Sequence, residues 1–147
     1  MKKSNTWLSL IISLPTSNAT ARMRIWRALK SMGCGVLRDG VYLLPDSKES
    51  ALGLEQQSAE IINAGGIAQI VKLQSTHPDQ DLTFRKLFDR TDDYVVLKQE
   101  IDAFLGALPA HNPLASKRLL KRLARDFAAL SAIDFFPGAA QIGRAHV

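Results

Sequence analysis

Apolar and polar positions change their period several times along this chain, and each change marks an element. Residues 6–14 are a weakly alternating run rich in β-branched and aromatic side chains, which predicts a buried strand that Pro15 stops. Thr16, Ser17 and Asn18 offer N-cap oxygens to a helix over residues 19–32, which Gly33 and Gly35 close. At 100° per residue, Ile25, Trp26, Leu29 and Met32 fall in one arc, the face expected to pack on a sheet. Two short strands, residues 35–38 and 41–44, flank Asp39-Gly40, and an Asp-Gly pair between apolar runs signals a hairpin. Pro45 ends the second of them. Ser47 then caps a helix over residues 48–63, with Glu49 and Glu55 near its positive end and Ala64-Gly65-Gly66 after it. Residues 67–73 read as a fourth strand.

The order β-α-β-β-α-β over residues 1–75 predicts an α+β fold: a ferredoxin-like unit whose antiparallel sheet carries both helices on one face. Residues 79–108 predict one long helix, or two with a break near Thr91, and residues 113–133 another. A helical hairpin over residues 76–134 is therefore expected to follow the first unit and pack on it. Residues 135–141, beginning Phe135-Phe136-Pro137-Gly138, read as an extended connector to a further domain. Ile142-Gly143-Arg144-Ala145-His146-Val147 back-translates as ATC GGA AGA GCA CAC GTC, which resembles a sequencing adapter read in frame. On that reading the natural chain continues past Gln141, Arg144 and His146 carry no function, and residues 142–147 stand outside the fold.

Composition narrows the class. With 147 residues, 46% hydrophobic and 22% charged, the chain is of ordinary globular type, not collagenous, disordered or membrane-spanning. The apolar run over residues 7–14 is far short of the ~20 residues that cross a bilayer, and no small-residue cleavage site follows it, so a cytoplasmic protein is expected. A single cysteine, Cys34, excludes an internal disulfide framework and a cysteine-cluster metal site.

Charge is unevenly placed. Residues 1–46 hold seven Lys/Arg and two Asp/Glu, residues 47–116 six and ten, and residues 117–147 six and two, for a net charge of +5. The clearest patch is the last helix. Lys117, Arg118, Lys121, Arg122 and Arg125 fall in one arc, opposite Leu119, Leu120, Leu123, Phe127 and Leu130. Such a face suits phosphate contacts, which supply affinity to DNA rather than sequence reading. The competing reading pairs these cations with the acidic preceding helix through Asp89, Asp92, Asp93, Glu100 and Asp102. A membrane surface is disfavoured because no bulky aromatic belt flanks the cations.

Three segments carry a family resemblance: Trp7-Leu8-Ser9-Leu10 through Ser13-Leu14-Pro15-Thr16, Arg22-Met23-Arg24-Ile25-Trp26-Arg27-Ala28-Leu29-Lys30, and Leu37-Arg38-Asp39-Gly40-Val41-Tyr42-Leu43-Leu44-Pro45. Together they resemble the amino-terminal region of the ChrB family of chromate-resistance proteins. Phe135-Phe136-Pro137-Gly138-Ala139-Ala140-Gln141 is similar to that family's junction to its carboxy-terminal domain, which on this reading is expected to be absent here. The resemblance implies a regulator or accessory resistance protein that responds to chromate. The first unit is also similar, more distantly, to ferredoxin-like domains of CRISPR-associated small nucleases and phenylacetate-pathway repressors. Nuclease chemistry of that type needs a carboxylate at the end of the first strand to hold a hard cation. Ser13, Leu14, Pro15 and Thr16 stand there, so no catalytic site is expected.

With chromate in view, the first helix offers an oxyanion seat. Arg24 and Arg27 fall opposite the apolar arc, but Arg22 lies between Trp26 and Leu29, where a guanidinium requires an anionic partner. Asp39 or Asp46 could supply it from within the chain. The functional reading places Arg22, Arg24 and Arg38 around a tetrahedral dianion at the helix start. Cys34 is a candidate redox group, with simple packing as the alternative. His77 and His111 lack ligand spacing, so neither a metal nor a cofactor is expected. The resemblance, joined to the basic face of the last helix, implies the amino-terminal domain of a chromate-responsive, DNA-binding transcriptional regulator without enzymatic activity. The alternatives are a chromate-handling accessory or redox enzyme whose chemistry lies in the absent domain, and a non-catalytic module that forms a homodimer through sheet edges.

Overall fold

Two glycines in the left-handed region decide where the first two helices stop. The computed structural model describes residues 6–110 and 112–137. Helix α1 (Ala19–Ser31) starts at Asn18, whose side chain accepts from the Ala21 N–H, and helix α2 (Lys48–Asn63) at Ser47, whose hydroxyl accepts from the Ser50 N–H. Both end the same way. After α1 comes Gly33 (φ 84°), with the Gly33 and Cys34 N–H groups donating to the Lys30 and Leu29 carbonyls. After α2 comes Gly65 (φ 88°), with the Gly65 and Gly66 N–H groups donating to the Ile62 and Ile61 carbonyls. This double bond pattern needs a residue free to take positive φ, which glycine does without strain.

Strands β1 (Thr6–Ser13), β2 (Gly35–Arg38), β3 (Val41–Pro45) and β4 (Ile67–Gln74) form one antiparallel sheet in the order β2-β3-β1-β4. The α+β class and the β-α-β-β-α-β element order expected from the sequence are both present. Register places Leu10 opposite Tyr42 and Ile70 on one face of the sheet, and Ser9 opposite Leu43 and Val71 on the other. Trp7, Leu8, Ser9 and Leu10 are all buried, so the middle of β1 is covered on both faces. Ile25 and Leu29 of α1 and Leu54 and Ile61 of α2 are among the most deeply buried side chains.

The second cover is helix α3 (Pro78–Lys86). Phe88, just beyond it, stacks on Trp7 at 5.6 Å between ring centres, and Phe84 meets the same indole edge-on at 5.7 Å. The Trp7 indole N–H donates to Asp81, a buried carboxylate that also accepts from the Ser75 hydroxyl and the Arg85 guanidinium. These contacts tie α3 to β1, and the two compact units of the chain divide between Phe88 and Asp89 rather than near residue 75.

The second unit is a helical hairpin, shorter than the one expected over residues 76–134. Helix α4 (Thr91–Gly106), a 3-10 turn at Leu108–Ala110 and helix α5 (Pro113–Ala132) follow one another. Leu97, Phe104 and Leu123 form its buried centre, with Ile101, Leu119 and Leu130 packed around them. At its end the Tyr94 hydroxyl donates to Asp134 and the Arg90 guanidinium to the Ile133 carbonyl. Residues 138–141 of the expected connector, and the adapter-like residues 142–147, lie outside the described residues.

Candidate nucleic-acid interface

Helix α5 begins with Asn112, which accepts from the Ala115 N–H, and Pro113 in the first turn, where a missing N–H costs nothing. Its packed side is narrower than the sequence arc: Leu123 is buried and Leu119 and Leu130 half-buried, while Leu120 and Phe127 stay exposed. On the other side Lys117, Arg118, Lys121, Arg122 and Arg125 are all exposed. Arg122 is paired by Asp126, one turn on in α5 itself, at 3.1 Å. Among the described residues, the other four have no ion pair.

The acids of the preceding segment make no ion pair with them among the described residues. Asp89 accepts from the Thr91 N–H and hydroxyl at 2.9 and 2.6 Å, bonds that hold its carboxyl below the ordinary value near 3.8. Asp102 pairs with Lys98 within α4. Asp92, Asp93 and Glu100 make no ion pair among the described residues.

The residues proposed for an oxyanion seat are placed differently from the sequence reading. Ala21, Ile25 and Leu29 form the buried stripe of α1, and Trp26 is exposed. Arg22 is exposed too, and needs no anion: its Nη2 donates to the Pro15 carbonyl at 3.0 Å and the Leu14 carbonyl at 3.4 Å. Arg22 pairs with neither Asp39 nor Asp46, and Asp46 lies 3.4 Å from Lys72. Arg24 pairs with Glu60 of α2 at 3.2 Å, and Arg38 is exposed at the end of β2. The three arginines share no partner in the described residues.

Cys34 is a half-buried free thiol. Close to it, Tyr42 has its hydroxyl pKa raised above 10 by burial first, then by Asp39 and Cys34. His77 caps α3 by accepting from the Asp79 N–H through Nδ1, and His111 lies outside the described residues. No three His, Cys, Asp or Glu side chains among the described residues gather as a metal site. No described helix is long and apolar enough to cross a membrane. Sequence reasoning missed Asp81, a buried carboxylate joining residues far apart in the chain, and Lys30, whose ammonium lies 4.9 Å from the Trp26 ring centre.

Fold and site together define a small α+β domain followed by a helical hairpin whose last helix turns mostly unpaired cations to solvent. The chain belongs to the ChrB family: the model described as "Protein ChrB, N-terminal" matches residues 22–111, beginning in the first turn of α1. It is also 34% identical over 134 residues to Protein ChrB of Cupriavidus metallidurans, an alignment covering 91% of this chain and 41% of that relative. The chain thus spans about two-fifths of the length of the curated relative it matches. No solved structure matches it with significance.

Proposed function

We propose that this chain is the amino-terminal part of a chromate-responsive transcriptional regulator, and that it holds DNA through phosphate contacts from α5 without catalysing a reaction of its own. One observation carries the reading: Lys117, Arg118, Lys121 and Arg125 stand exposed on one helix with no ion pair among the described residues. Counterion release from DNA rewards such a face, and an acidic neighbour would have cancelled it. Chromate enters through the family resemblance, since Arg22 and Arg24 are each bonded to oxygen atoms of this chain. A second copy would double the number of phosphate contacts, so the oligomeric state belongs in the test.

The test is a duplex-DNA titration read by fluorescence anisotropy across a salt series, with the DNA recovered uncut from Mg²⁺ buffer and the mass of the complex measured by light scattering. Lys117, Lys121 and Arg125 replaced together by alanine should weaken binding about a hundredfold at low salt, by a similar factor for unrelated sequences, and make the log–log salt slope shallower by about 2.7. Unchanged binding by the triple variant would make α5 a structural partner only and favour the accessory or redox reading.

A further inference from the structure

A cleft of about 310 Å³ opens beside α1 on the sheet face that bears Leu10, Ile12 and Tyr42. Ile12, Leu14, Met23, Ile25, Trp26 and Tyr42 give it apolar and aromatic walls, and Arg22 is its charged lining residue. No carboxylate is among the lining residues. Met23 and Trp26 are 48% and 42% exposed, a large apolar surface to leave in water unless something covers it at times. Lys30 over the Trp26 ring adds further positive charge at this wall.

Arg22 is held for use. Its Nη2 is fixed by the Leu14 and Pro15 carbonyls, which orient the guanidinium, while its remaining N–H groups have no partner among the described residues. Tyr42 is a neutral donor through the neutral range, its pKa of ordinarily 10 being raised further by burial first, then by Asp39 and Cys34. The Asp39 charge near Tyr42 repels anions from that end, which leaves the Arg22 end for a negative group. A hydrophilic dianion such as chromate or sulfate fits badly, since it would lose hydration against apolar walls for a single guanidinium. The volume sits at the low end of the range for ligand pockets, roughly 300–1,000 Å³, enough for one ring and its substituent.

We infer that this cleft binds a small monocarboxylate with an apolar body, the body against Trp26, Met23 and Ile12 and the carboxylate on Arg22. The site goes beyond the DNA reading and stands apart from it, because none of its residues lies on α5. Benzoate is the probe, with benzyl alcohol as its neutral counterpart and sulfate and chromate as hydrophilic competitors, followed by ¹H–¹⁵N spectra of the 147-residue chain. Benzoate should move the Trp26 indole signal and the Met23 and Tyr42 amides saturably while leaving the Trp7 indole, fixed on Asp81, in place. Benzyl alcohol should bind about fivefold more weakly. Arg22→Met should weaken benzoate by about the same factor without affecting benzyl alcohol. Met23→Glu, at a half-exposed position, should abolish benzoate saturation. The inference is overturned by any of three results: no saturable benzoate shift in folded wild type, equal affinity for both probes, or displacement of benzoate by sulfate or chromate.

Discussion

Helices α1 and α5 carry similar runs of cations and do different things with them. On α1, Arg24 is paired by Glu60 of the neighbouring α2, Arg22 is bound to loop carbonyls, and Lys30 lies over Trp26, which leaves Arg27 as the one cation of four with no partner among the described residues. On α5 the proportion is reversed, with Arg122 alone paired among five. The cause lies in what each helix rests on. Beside α1 lies a second helix that brings an acid 36 residues away into reach. Its counterpart α5 packs through Leu119, Leu123 and Leu130 against the α4 side of its hairpin, so its cations face away from the α4 acids. A basic stretch keeps its cations open to an anionic ligand only where the fold keeps opposite charge out of range.

The sharpest way to break this comparison is to remove three cations from each helix in turn. Replacing Arg24, Arg27 and Lys30 by alanine removes the same charge as the α5 triple described above, yet should weaken DNA binding less than about threefold and leave the salt slope within about one unit of wild type. The exposed Arg24–Glu60 pair contributes at most about 1 kcal/mol to stability, so the variant should stay folded. Equal losses from the two triples, measured on the same duplex, would mean that α1 contacts phosphate as well and that the contrast between the helices is false.

The elements were legible because their signals are local. Asn18 and Ser47 cap helices, Gly33 and Gly65 end them, and Asp39-Gly40 turns a hairpin, each within a few residues of the chain. Family membership was legible for the same reason, in three short segments. The rotation of α1 was not. A helical wheel weights Trp26 above Ala21 by hydrophobicity, but the sheet admits the narrow stripe Ala21, Ile25 and Leu29 at spacing four and leaves the bulky indole at its edge. That rotation moved Arg22 from an expected packed position to the rim of a cleft. The extent of the first unit was hidden in another way. Phe84 and Phe88, four apart, do signal a packed face, but their partner Trp7 lies at the other end of the unit, and periodicity does not name partners. The α5 cations were legible as a face, yet whether acids reached them was a question only tertiary structure could answer.

A smaller effect sharpens the α5 side of the comparison. Asp126 holds Arg122 at 3.1 Å, with both side chains about half exposed, so the pair gives the helix roughly 0.3–0.5 kcal/mol. Asp126→Asn removes an acid from the basic helix and releases one guanidinium. DNA affinity should rise about fivefold at low salt and the slope should steepen by about 0.9, as expected for one added phosphate contact. Weaker binding by this variant would mean that the Arg122–Asp126 pair is itself needed to shape the surface.

The smallest test asks whether the acid at the start of α4 is committed to its own backbone, as the comparison requires. The Asp89 carboxylate accepts two bonds from Thr91, the first residue of α4, where Asp92 and Asp93 also meet the positive end of the helix. Because those bonds favour the charged form, its pKa in the folded chain is lowered, with the Thr91 hydroxyl as the larger cause and the Thr91 N–H next. A group depressed on folding stabilises the fold fully above its unfolded pKa, near 3.8, and loses that contribution as pH falls through the lower folded value. Asp89→Ala should therefore cost about 0.5 kcal/mol in urea unfolding at neutral pH and close to nothing at an acid pH below the lowered folded value, where the wild-type carboxyl is protonated. DNA affinity at neutral pH should rise less than about twofold, because an acid already bound to Thr91 screens the α5 cations little. An equal cost at both pH values would show that the bonds to Thr91 do not depend on the charge. A rise in DNA affinity as large as that of Asp126→Asn would show that Asp89 does oppose the basic face of α5.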